Sequence, residues 1–301
     1  MRTAGLPGRI RLGKTFNLTL GLISKPSIPD SAMKPLTPEL LLAAMDAGQT
    51  VQRDQTLPIT DWADGERVAQ AIVALRRARG DRPIGWKVGL TNLSAWPRLG
   101  IDRPIWGRIY DRTVTLLDST RAELFLDGLS TPRIEPEIVV GLARTPAADT
   151  PLALIEACAW IAHGFEIVHT PYPDWRSVPM ESHAAQAMHA ALIVGPRLRP
   201  DQLADSPAAL IRALETFTLT MNRAGGERWS GHGAVVMGSP LASLGRLVRE
   251  LAARGEQLGT GDVITTGTLT DAQPLGEPGL WQTELQGIAL PGLTLRSQWR
   301  S

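Results

Sequence analysis

The sequence predicts a fold that combines α-helices with β-strands. Two observations indicate this class. Segments with helix-capping signals and a one-sided apolar face alternate with short β-branched runs, and two of these runs carry acidic residues among apolar neighbours. The chain has 301 residues, of which 43% are hydrophobic. It is therefore long enough to bury a sizeable core, as one large domain or two smaller ones.

Composition narrows the classes of function. The formal net charge is +1, so the chain lacks the basic character of nucleic-acid-binding proteins, and no apolar run reaches the length that crosses a bilayer. We therefore expect a small, diffusible substrate. The single cysteine, Cys158, lies in a predicted apolar helix. It excludes an internal disulfide framework and a cysteine-rich zinc site, and it is consistent with a reducing cytosol.

The first third of the chain predicts a tail followed by helices. Residues 1–32 are basic, with scattered glycine and proline, and we expect them to be a disordered tail, with Met33 as a candidate start. One helix begins after Thr37, and a second runs from Asp64 to Arg79. These helices are expected to form a lid or cap on the strands that follow.

A lysine-bearing strand comes next. Gly85–Thr91 predicts a short strand between glycines, with Lys87 on one face and Trp86 on the other. Arginine supplies nearly all other basic residues in the body of the chain, so Lys87 serves as a compact point charge or a group with an easily shifted pKa, unless it reflects compositional chance. Further on, Asp111 is either a turn residue or an additional acid at a site.

Two acids share the face of the next strand. Arg133–Val140 predicts a strand on which Glu135 and Glu137 point the same way. Their repulsion disfavours a core position unless a cation lies between them. Pro136 points the other way and lacks an N–H, which favours a sheet edge or the mouth of a barrel. The alternative is a solvated edge with surface ion pairs to Arg133.

A third acid follows. Thr150–Gly164 predicts a helix and Phe165–Val168 a buried strand, so that a crossover connection would return Glu166 to the neighbourhood of Glu135 and Glu137. Three carboxylates without a thiolate suit a hard cation such as Mg²⁺ or Mn²⁺. The loop that follows, 170–179, would be able to fold over this metal site.

The last quarter of the chain contains a further helix and a glycine-threonine turn. Ser239 caps the helix, and Gly255 follows its end. At the end of a later strand, Gly267 and Thr268 offer a backbone N–H and a hydroxyl that suit a substrate carboxylate, or else form an ordinary turn.

Taken together and in this order, five motifs resemble those of the fumarylacetoacetate hydrolase superfamily, in its branch of 2-oxopent-4-enoate hydratases and oxalocrotonate decarboxylases. The resemblance covers about residues 37–295. Its motifs are Gly85–Thr91, Glu135–Ile138, Phe165–Ile167, Met237–Leu241 and Leu258–Thr270.

The sequence also departs from that branch. After Glu166 the hydratases usually have an acidic residue where this chain has His169, and further on they often carry an Asp-Asn pair where Ala185 and Gln186 stand. The resemblance therefore carries over the metal site but not the exact substrate.

For the fold, the resemblance implies a mixed α/β protein with a rolled β-sandwich, barrel-like core and an N-terminal helical cap. The expected organisation is a cap with the lysine-bearing strand at residues 33–110 and a catalytic β-rich domain at 111–301. A cytoplasmic homo-oligomer is expected, with a divalent metal, Mg²⁺ or Mn²⁺, held by Glu135, Glu137 and Glu166.

For the function, the resemblance implies a lyase that adds water to a 2-hydroxy-2,4-dienoate during degradation of aromatic compounds. Lys87 would hold the C2 oxygen or the carboxylate of the substrate, and a carboxylate-held water would carry the proton. The candidate catalytic residues are Lys87, Asp111 and His169, and the candidate substrate contacts are Leu90, Thr266, Gly267 and Thr268.

Three alternatives remain at this point. The same chemistry would decarboxylate an oxalocrotonate-like 2-oxo diacid, or hydrolyse a carbon–carbon bond of an acylpyruvate. His169 favours the hydrolase, because a histidine beside a metal-binding acid would be able to activate water. A less favoured alternative is a non-catalytic partner subunit, and a complex with a related decarboxylase or hydratase is a further expectation.

Overall fold

The computed structural model describes residues 34–52 and 54–300. The predicted tail, residues 1–32, and the candidate start at Met33 lie outside these residues. Within the described residues, no helix is long and apolar enough to span a membrane.

The helices of the described residues lie mainly in the first third of the chain and between the strands of the second half. They are α1 (Pro38–Asp46), α2 (Trp62–Ala78), α3 (Trp96–Leu99), α4 (Pro151–Ala157), α5 (Pro179–Ala184), α6 (Pro200–Leu203), α7 (Pro207–Thr216) and α8 (Pro240–Ala252).

Fifteen strands are present in the same residues. They are β1 (Lys34–Pro35), β2 (Gln55–Thr56), β3 (Pro83–Gly89), β4 (Ile105–Tyr110), β5 (Val114–Leu116), β6 (Arg121–Phe125), β7 (Arg133–Leu142), β8 (Cys158–Val168), β9 (His189–Val194), β10 (Thr218–Arg223), β11 (Glu227–His232), β12 (Val263–Thr268), β13 (Gln273–Pro274), β14 (Gly279–Gln286) and β15 (Thr294–Gln298).

Two sheets contain most of these strands. The larger sheet is curled into a half-barrel and has the order β4-β3-β12-β7-β8-β9-β5, with β13 added to β7. The smaller sheet has the order β11-β10-β14-β15-β6. The mixed α/β class with a rolled, barrel-like core is therefore confirmed.

The two faces of the larger sheet pack differently. One face, represented by Ile138 and Phe165, shares one apolar core with the smaller sheet and with helices α4, α7 and α8. The opposite face carries a small apolar cluster that includes Val139 and Ala162. Since side chains alternate along a strand, residues of β7 that share a face with Val139, such as Glu137, also point to this second face.

Local signals predicted several helix starts. The side chain of Thr37 accepts a hydrogen bond from Leu40 N at α1, and Ser239 accepts one from Leu241 N at α8. Helix α2 begins two residues earlier than predicted, because Asp61 caps it by accepting from the N–H of Asp64.

The helix predicted for Thr150–Gly164 is wrong beyond Ala157. Helix α4 ends there, and β8 begins at Cys158 and pairs with β7 in antiparallel fashion, not through a parallel crossover. Strand β8 is buried almost throughout, so its apolar residues follow one another without the alternation that identifies a half-exposed strand.

The edge position predicted for the Pro136 strand is also wrong. Strand β7 lies inside the sheet, between β12 and β8. The register of β12 against β7 shifts between Thr265 and Thr268, and Leu269 N donates to Pro136 O. A bulge in β12 therefore accommodates the missing N–H of Pro136.

Candidate active site

Strand register brings the three acids together. Glu135 and Glu166 are direct partners across the β7–β8 ladder, and Glu137 lies two residues further along β7 on the same face. One carboxylate oxygen from each of the three lies within 4.8 Å of the others. Glu137 and Glu166 have no exposed surface, so a solvated edge is excluded for them.

Lys87 reaches this cluster from the other side of β12. Its strand, β3, pairs with β12 so that Lys87 lies opposite Thr265. Its Nζ lies 3.1 Å from Glu135 Oε2 and 3.2 Å from Glu166 Oε1. The side chain is 3% exposed, so these carboxylates are the close counter-charges of a buried ammonium.

The carboxylate of Glu166 is well provided with hydrogen-bond partners. Thr265 Oγ1 donates to its Oε2 at 2.9 Å, and His189 Nδ1 lies 2.9 Å from its Oε1. Burial alone would raise the pKa of Glu166, but the charge of Lys87 and the contacts with His189 and Thr265 outweigh it and lower that pKa. Glu166 is therefore held as a carboxylate.

Only one of the two carboxylate oxygens of Glu137 has a hydrogen-bond partner among the described residues. The N–H of Gly267 donates to its Oε2 at 2.7 Å, whereas Oε1 is buried and has no hydrogen-bond partner among the described residues. Burial and the charge of Glu166 raise the pKa of Glu137 well above its ordinary value. A buried carboxylate oxygen without a partner among the described residues, facing two further carboxylates, is suited to coordinate a cation.

The backbone of the β12 bulge makes the Gly267 contact possible. Gly267 has φ 116°, a conformation that favours glycine, and a Cβ there would lie 2.2 Å from Thr91 Oγ1. Its N–H, predicted to contact a substrate carboxylate, instead donates to Glu137.

A cavity of about 630 Å³ opens above the acids. Glu135, Glu137 and Lys87 line it, and so do Leu90 and Thr268, two of the predicted substrate contacts. This volume is in the range of pockets for small molecules.

Thr266, a further predicted substrate contact, lies outside the cavity, whereas the loop 170–179 that was expected to fold over the site forms part of its wall. Thr266 Oγ1 donates to the backbone oxygen of Ile138 and does not belong to the described lining. The loop after β8 does reach the cavity, where Trp175 and Ser177 form part of the wall.

A turn with left-handed backbone conformation forms a further part of the cavity wall. Gln186, Ala187 and Met188 all have positive φ, of 55°, 52° and 63°, and the last two line the cavity. A Cβ at Gly107 would lie 2.3 Å from the backbone oxygen of Gln186, so β4 admits this turn only because Gly107 has no side chain. Consecutive non-glycine residues in this region store strain, which is typical of binding sites.

Two predicted catalytic residues lie away from the acids. Asp111 forms an ion pair with Arg82 and accepts from its N–H, and it is absent from the described lining. The ring of His169 is buried beside Ser130, whose N–H lies 3.5 Å from its Nδ1. Neither residue is brought to the three carboxylates by the described contacts.

His169 predicts a pH effect on stability. Burial, helped by the charges of His189 and Arg76, lowers the pKa of its ring from 6.5 to about 4. As the pH falls the unfolded chain takes up this proton first, so the free energy of unfolding declines between about pH 6.5 and pH 4, by on the order of 3 kcal/mol for this ring. Urea unfolding across this range should show a shallower decline in His169→Gln.

The control is His232→Gln, which removes an imidazole from the surface of β11. It should keep the wild-type pH dependence. If His169→Gln also keeps that dependence, the buried ring of His169 is not responsible for it.

Three residues of this region were not identified as site residues from the sequence. His189 lies on β9 and contacts Glu166, Thr265 lies on β12, and Arg133 lines the cavity. The 2.8 Å contact from His189 Nε2 to Thr113 Oγ1 fixes the ring on the side away from Glu166. Sequence spacing gave no signal for these contacts, because they depend on strand register.

Thr265 allows the support of Glu166 to be tested. Thr265→Val keeps the shape of the side chain but removes the donor to Glu166 Oε2, and loss of a hydrogen bond to a metal ligand typically weakens metal binding about 10- to 100-fold. We expect at least a tenfold increase in the Kd for Mg²⁺, measured by calorimetric titration. Thr266→Val is the matched control, because its buried hydroxyl contacts the Ile138 backbone instead. Equal losses in both variants would contradict this role of Thr265.

Comparisons with known proteins agree with this fold. No protein-family model matches the sequence. A 2-keto-4-pentenoate hydratase from Burkholderia vietnamiensis is 28% identical over 252 residues, which is 82% of this chain and 92% of the relative. The structure of 4-oxalocrotonate decarboxylase from Pseudomonas putida G7, complexed with magnesium and adipate, has a TM-score of 0.75 and 25% identity, covering 87% of this chain and 99% of the other.

A more distant structure shares the fold. A protein from Oleispira antarctica, provisionally described as a fumarylacetoacetate isomerase/hydrolase, has a TM-score of 0.52 and 16% identity, with 71% of this chain and 94% of the other covered. This similarity concerns the fold alone. The similarity to a 2-keto-4-pentenoate hydratase and to a 4-oxalocrotonate decarboxylase confirms the resemblance drawn from the sequence motifs, which was to the hydratase and decarboxylase branch of the fumarylacetoacetate hydrolase superfamily.

Proposed function

We propose that this protein is a divalent-metal-dependent hydratase that adds water to a 2-hydroxy-2,4-dienoate of the 2-oxopent-4-enoate type. The observation that carries the proposal is the arrangement of Glu135, Glu137 and Glu166 within 4.8 Å of one another, beside the ammonium of Lys87, below a cavity of about 630 Å³. The hydratase name of the Burkholderia relative supports it.

The residues present fit a hard divalent cation. All three candidate ligands are carboxylate oxygens that lie within 4.8 Å of one another, and the oxygens around one octahedral Mg²⁺ or Mn²⁺ ion lie about 3 to 4 Å apart, so small side-chain movements would bring all three onto one ion. The Oε1 of Glu137, which has no hydrogen-bond partner in the described part of the chain, is available as a ligand atom. When bound, such a cation supplies Lewis-acid stabilisation of negative charge on the C2 oxygen of the substrate. Magnesium is our first choice, because the related decarboxylase structure contains it.

Lys87 is the residue of this chain placed to bind the reacting end of the substrate. Its Nζ donates to Glu135, lies within 3.2 Å of Glu166 and faces the cavity. A substrate oxygen in the cavity would find in Lys87 a fixed positive charge in a water-poor setting, where electrostatic stabilisation is strongest. Lys87 therefore holds the C2 oxygen or the C1 carboxylate while negative charge develops there.

The overall reaction conserves every atom of the substrate and of one water molecule. The 2-hydroxyl proton of the dienol is lost and C5 gains a proton, which gives a 2-oxo-3-enoate. Water then bonds through oxygen to C4, and a proton is added at C3, which gives a 4-hydroxy-2-oxo acid. Leu90 and Thr268 line the cavity in which the conjugated chain would lie during these proton transfers.

The second candidate function is decarboxylation of an oxalocrotonate-like 2-oxo diacid. It is favoured by the similarity to a 4-oxalocrotonate decarboxylase over nearly the whole of that protein. The acylpyruvate hydrolase receives no comparable support, because the histidine on which it depended, His169, faces Ser130 and not the cavity.

The test is an assay of the purified chain on 2-hydroxypenta-2,4-dienoate and on 4-oxalocrotonate, with chelator and with millimolar Mg²⁺. Loss of the dienol absorbance with formation of 4-hydroxy-2-oxopentanoate, only when metal is present, is the expected result. Release of carbon dioxide from 4-oxalocrotonate without turnover of the dienoate would establish the decarboxylase. Failure to convert either compound in the presence of metal would overturn the proposed function and favour the partner subunit.

A further inference from the structure

His163 is a buried polar side chain in the apolar core between the two sheets. It lies on β8 directly opposite Ile138 of β7, and its ring meets that of Phe165 edge-on, with 5.5 Å between the ring centres. Both neighbours belong to the core that the larger sheet shares with the smaller sheet. The side chain is 1% exposed, although an apolar residue would fill the same space without the cost of burying two nitrogens. The contacts of these nitrogens therefore indicate what His163 does.

The two ring nitrogens of His163 connect the smaller sheet to the backbone of Glu137. Nδ1 lies 2.9 Å from the carbonyl oxygen of Glu137, and Nε2 lies 2.8 Å from Thr283 Oγ1 on β14. The N–H of Leu293 in turn donates to Thr283 Oγ1 at 2.9 Å. A continuous chain of hydrogen bonds thus runs from the Leu293 backbone, through Thr283 and across the core, to a residue of the carboxylate cluster.

The chemistry of these partners determines which ring nitrogen of His163 carries the proton. A carbonyl oxygen only accepts, so Nδ1 carries the proton and donates it to Glu137 O. Burial lowers the pKa of the ring from 6.5 to about 4, so at neutral pH this is its one N–H, and Nε2 accepts from the Thr283 hydroxyl. Leu293 O, a competing acceptor for that hydroxyl, is farther away, at 3.5 Å. Both ring nitrogens are thereby satisfied.

Glu137 depends on its backbone for orientation more than Glu166 does. The carboxylate of Glu166 accepts from Thr265 Oγ1 and also contacts His189. The carboxylate of Glu137 is held at one oxygen by the Gly267 N–H, and its Oε1 has no hydrogen-bond partner among the described residues. The position of this Oε1 therefore depends on the strand that carries it, and a hydrogen bond to the carbonyl oxygen of Glu137 holds that strand at the residue itself.

We propose that His163 is a positioning residue for the metal site, whose Nδ1–H holds the backbone of Glu137 while Thr283 holds His163 in the required tautomer. The inference rests on the proposed function for the presence of a divalent cation at the three carboxylates. The smaller sheet thereby acts on the geometry of the site, although the three candidate ligands all lie on β7 and β8 of the larger sheet. Loss of a hydrogen bond that orients a metal ligand typically weakens metal binding about 10- to 100-fold.

Calorimetric titration of the full chain with Mg²⁺ tests this role. His163→Leu fills the space without a donor, so the Kd for Mg²⁺ should rise at least about tenfold. His163→Asn places its side-chain amide N–H near the position of Nδ1, and it should keep a Kd within about threefold of wild type. Both variants lose the contact with Thr283, so the donor to Glu137 O is the hydrogen bond that distinguishes them.

Leu219→Ala is the control for general loosening of the core. Leu219 is buried in the same core and belongs to β10 of the smaller sheet. Its truncation should lower the melting temperature, because it leaves a cavity, and should keep the wild-type Kd for Mg²⁺.

NMR of the wild-type protein labelled with ¹⁵N-histidine reads the tautomer itself. Correlations between the ring nitrogens and the carbon-bound ring protons distinguish the Nδ1–H form from the Nε2–H form. The signals of His163, assigned by their absence in His163→Asn, should show the Nδ1–H form. This measurement keeps the proposal falsifiable where His163→Leu fails to fold.

The outcomes separate this inference from the proposed function. If His163→Leu binds Mg²⁺ as tightly as wild type, or if His163→Asn loses as much affinity as His163→Leu, the hydrogen bond to Glu137 does not position the ligand and the inference is wrong. An Nε2–H tautomer, or an equal loss of affinity in Leu219→Ala, would overturn it as well, and in each case the proposed function is unaffected. If wild type does not bind Mg²⁺, the metal site of the proposed function fails, and this inference fails with it.

Discussion

We expect Glu137→Gln to lose at least about 100-fold in kcat, equivalent to about 2.7 kcal/mol of transition-state stabilisation, and yet to melt at a higher temperature than wild type when metal is absent. The activity falls because an amide is a poorer ligand than a carboxylate for a hard cation. The metal-free protein is stabilised because the variant removes a buried charge that faces Glu135 and Glu166. The amide oxygen still accepts from the Gly267 N–H.

The matched variant is Glu166→Gln, which makes the same substitution on the neighbouring strand, β8. Glu166 is paired with Lys87 and accepts from Thr265, so its loss leaves a buried ammonium short of one counter-charge. In chelator, Glu166→Gln should therefore melt below wild type and Glu137→Gln above it. Both should lose the rise in Tm that millimolar Mg²⁺ gives wild type by binding the folded state.

Melting curves of the three proteins with chelator and with Mg²⁺ provide the measurement. An unchanged response to Mg²⁺ in both variants would show that these acids do not bind the ion. Equal melting temperatures of the two variants in chelator would show that the difference in the partners of Glu137 and Glu166 has no energetic consequence.

The acids of the site were predictable because they sit in short, strongly patterned segments. The period of two placed Glu135 and Glu137 on one face without knowledge of the sheet order. Glu166 stood out as a single acid in an apolar run. Its return to the same site was predicted correctly, although by the wrong connection, because an antiparallel pairing and a crossover both place β8 beside β7.

The connection itself was not predictable from local pattern. Residues 158–168 are covered on both faces, so Ile161 and its apolar neighbours follow one another in a spacing that also fits a helix. The edge position inferred from Pro136 was wrong for a related reason. A missing N–H indicates that a ladder is interrupted, and the sequence does not say whether the interruption is an edge or a bulge in the partner strand.

Contacts between distant strands were the least predictable. Lys87 meets Glu166 only because β12 lies between β3 and β7 and pairs Thr265 with Lys87. His189 meets Glu166 through the β8–β9 pairing. Local propensity contains no information on such pairings, and the N-terminal helices and the capped helix α8 were correspondingly easier to predict.

Lys87 places its ammonium between two carboxylates, those of Glu135 and Glu166. Gly107 lies opposite it on β4 and Thr265 opposite it on β12. A Cβ at Gly89 would lie 3.6 Å from Lys87 Cε, so a side chain at that position would be in van der Waals contact with the lysine. The wider, planar guanidinium of arginine would have to displace one of these neighbours or leave the position between Glu135 and Glu166.

Lys87→Arg is therefore expected to fold, because one positive charge still faces the buried carboxylates, but to lose at least tenfold in kcat, or about 1.4 kcal/mol. The loss should appear in kcat on the dienoate at saturating Mg²⁺, since the displaced charge no longer meets the C2 oxygen where negative charge develops. The control is Lys34→Arg, which makes the same substitution at an exposed lysine paired with Asp54 and should keep wild-type kinetics. Wild-type kcat in Lys87→Arg would reduce Lys87 to a structural counter-charge for the acids and remove it from the proposed chemistry.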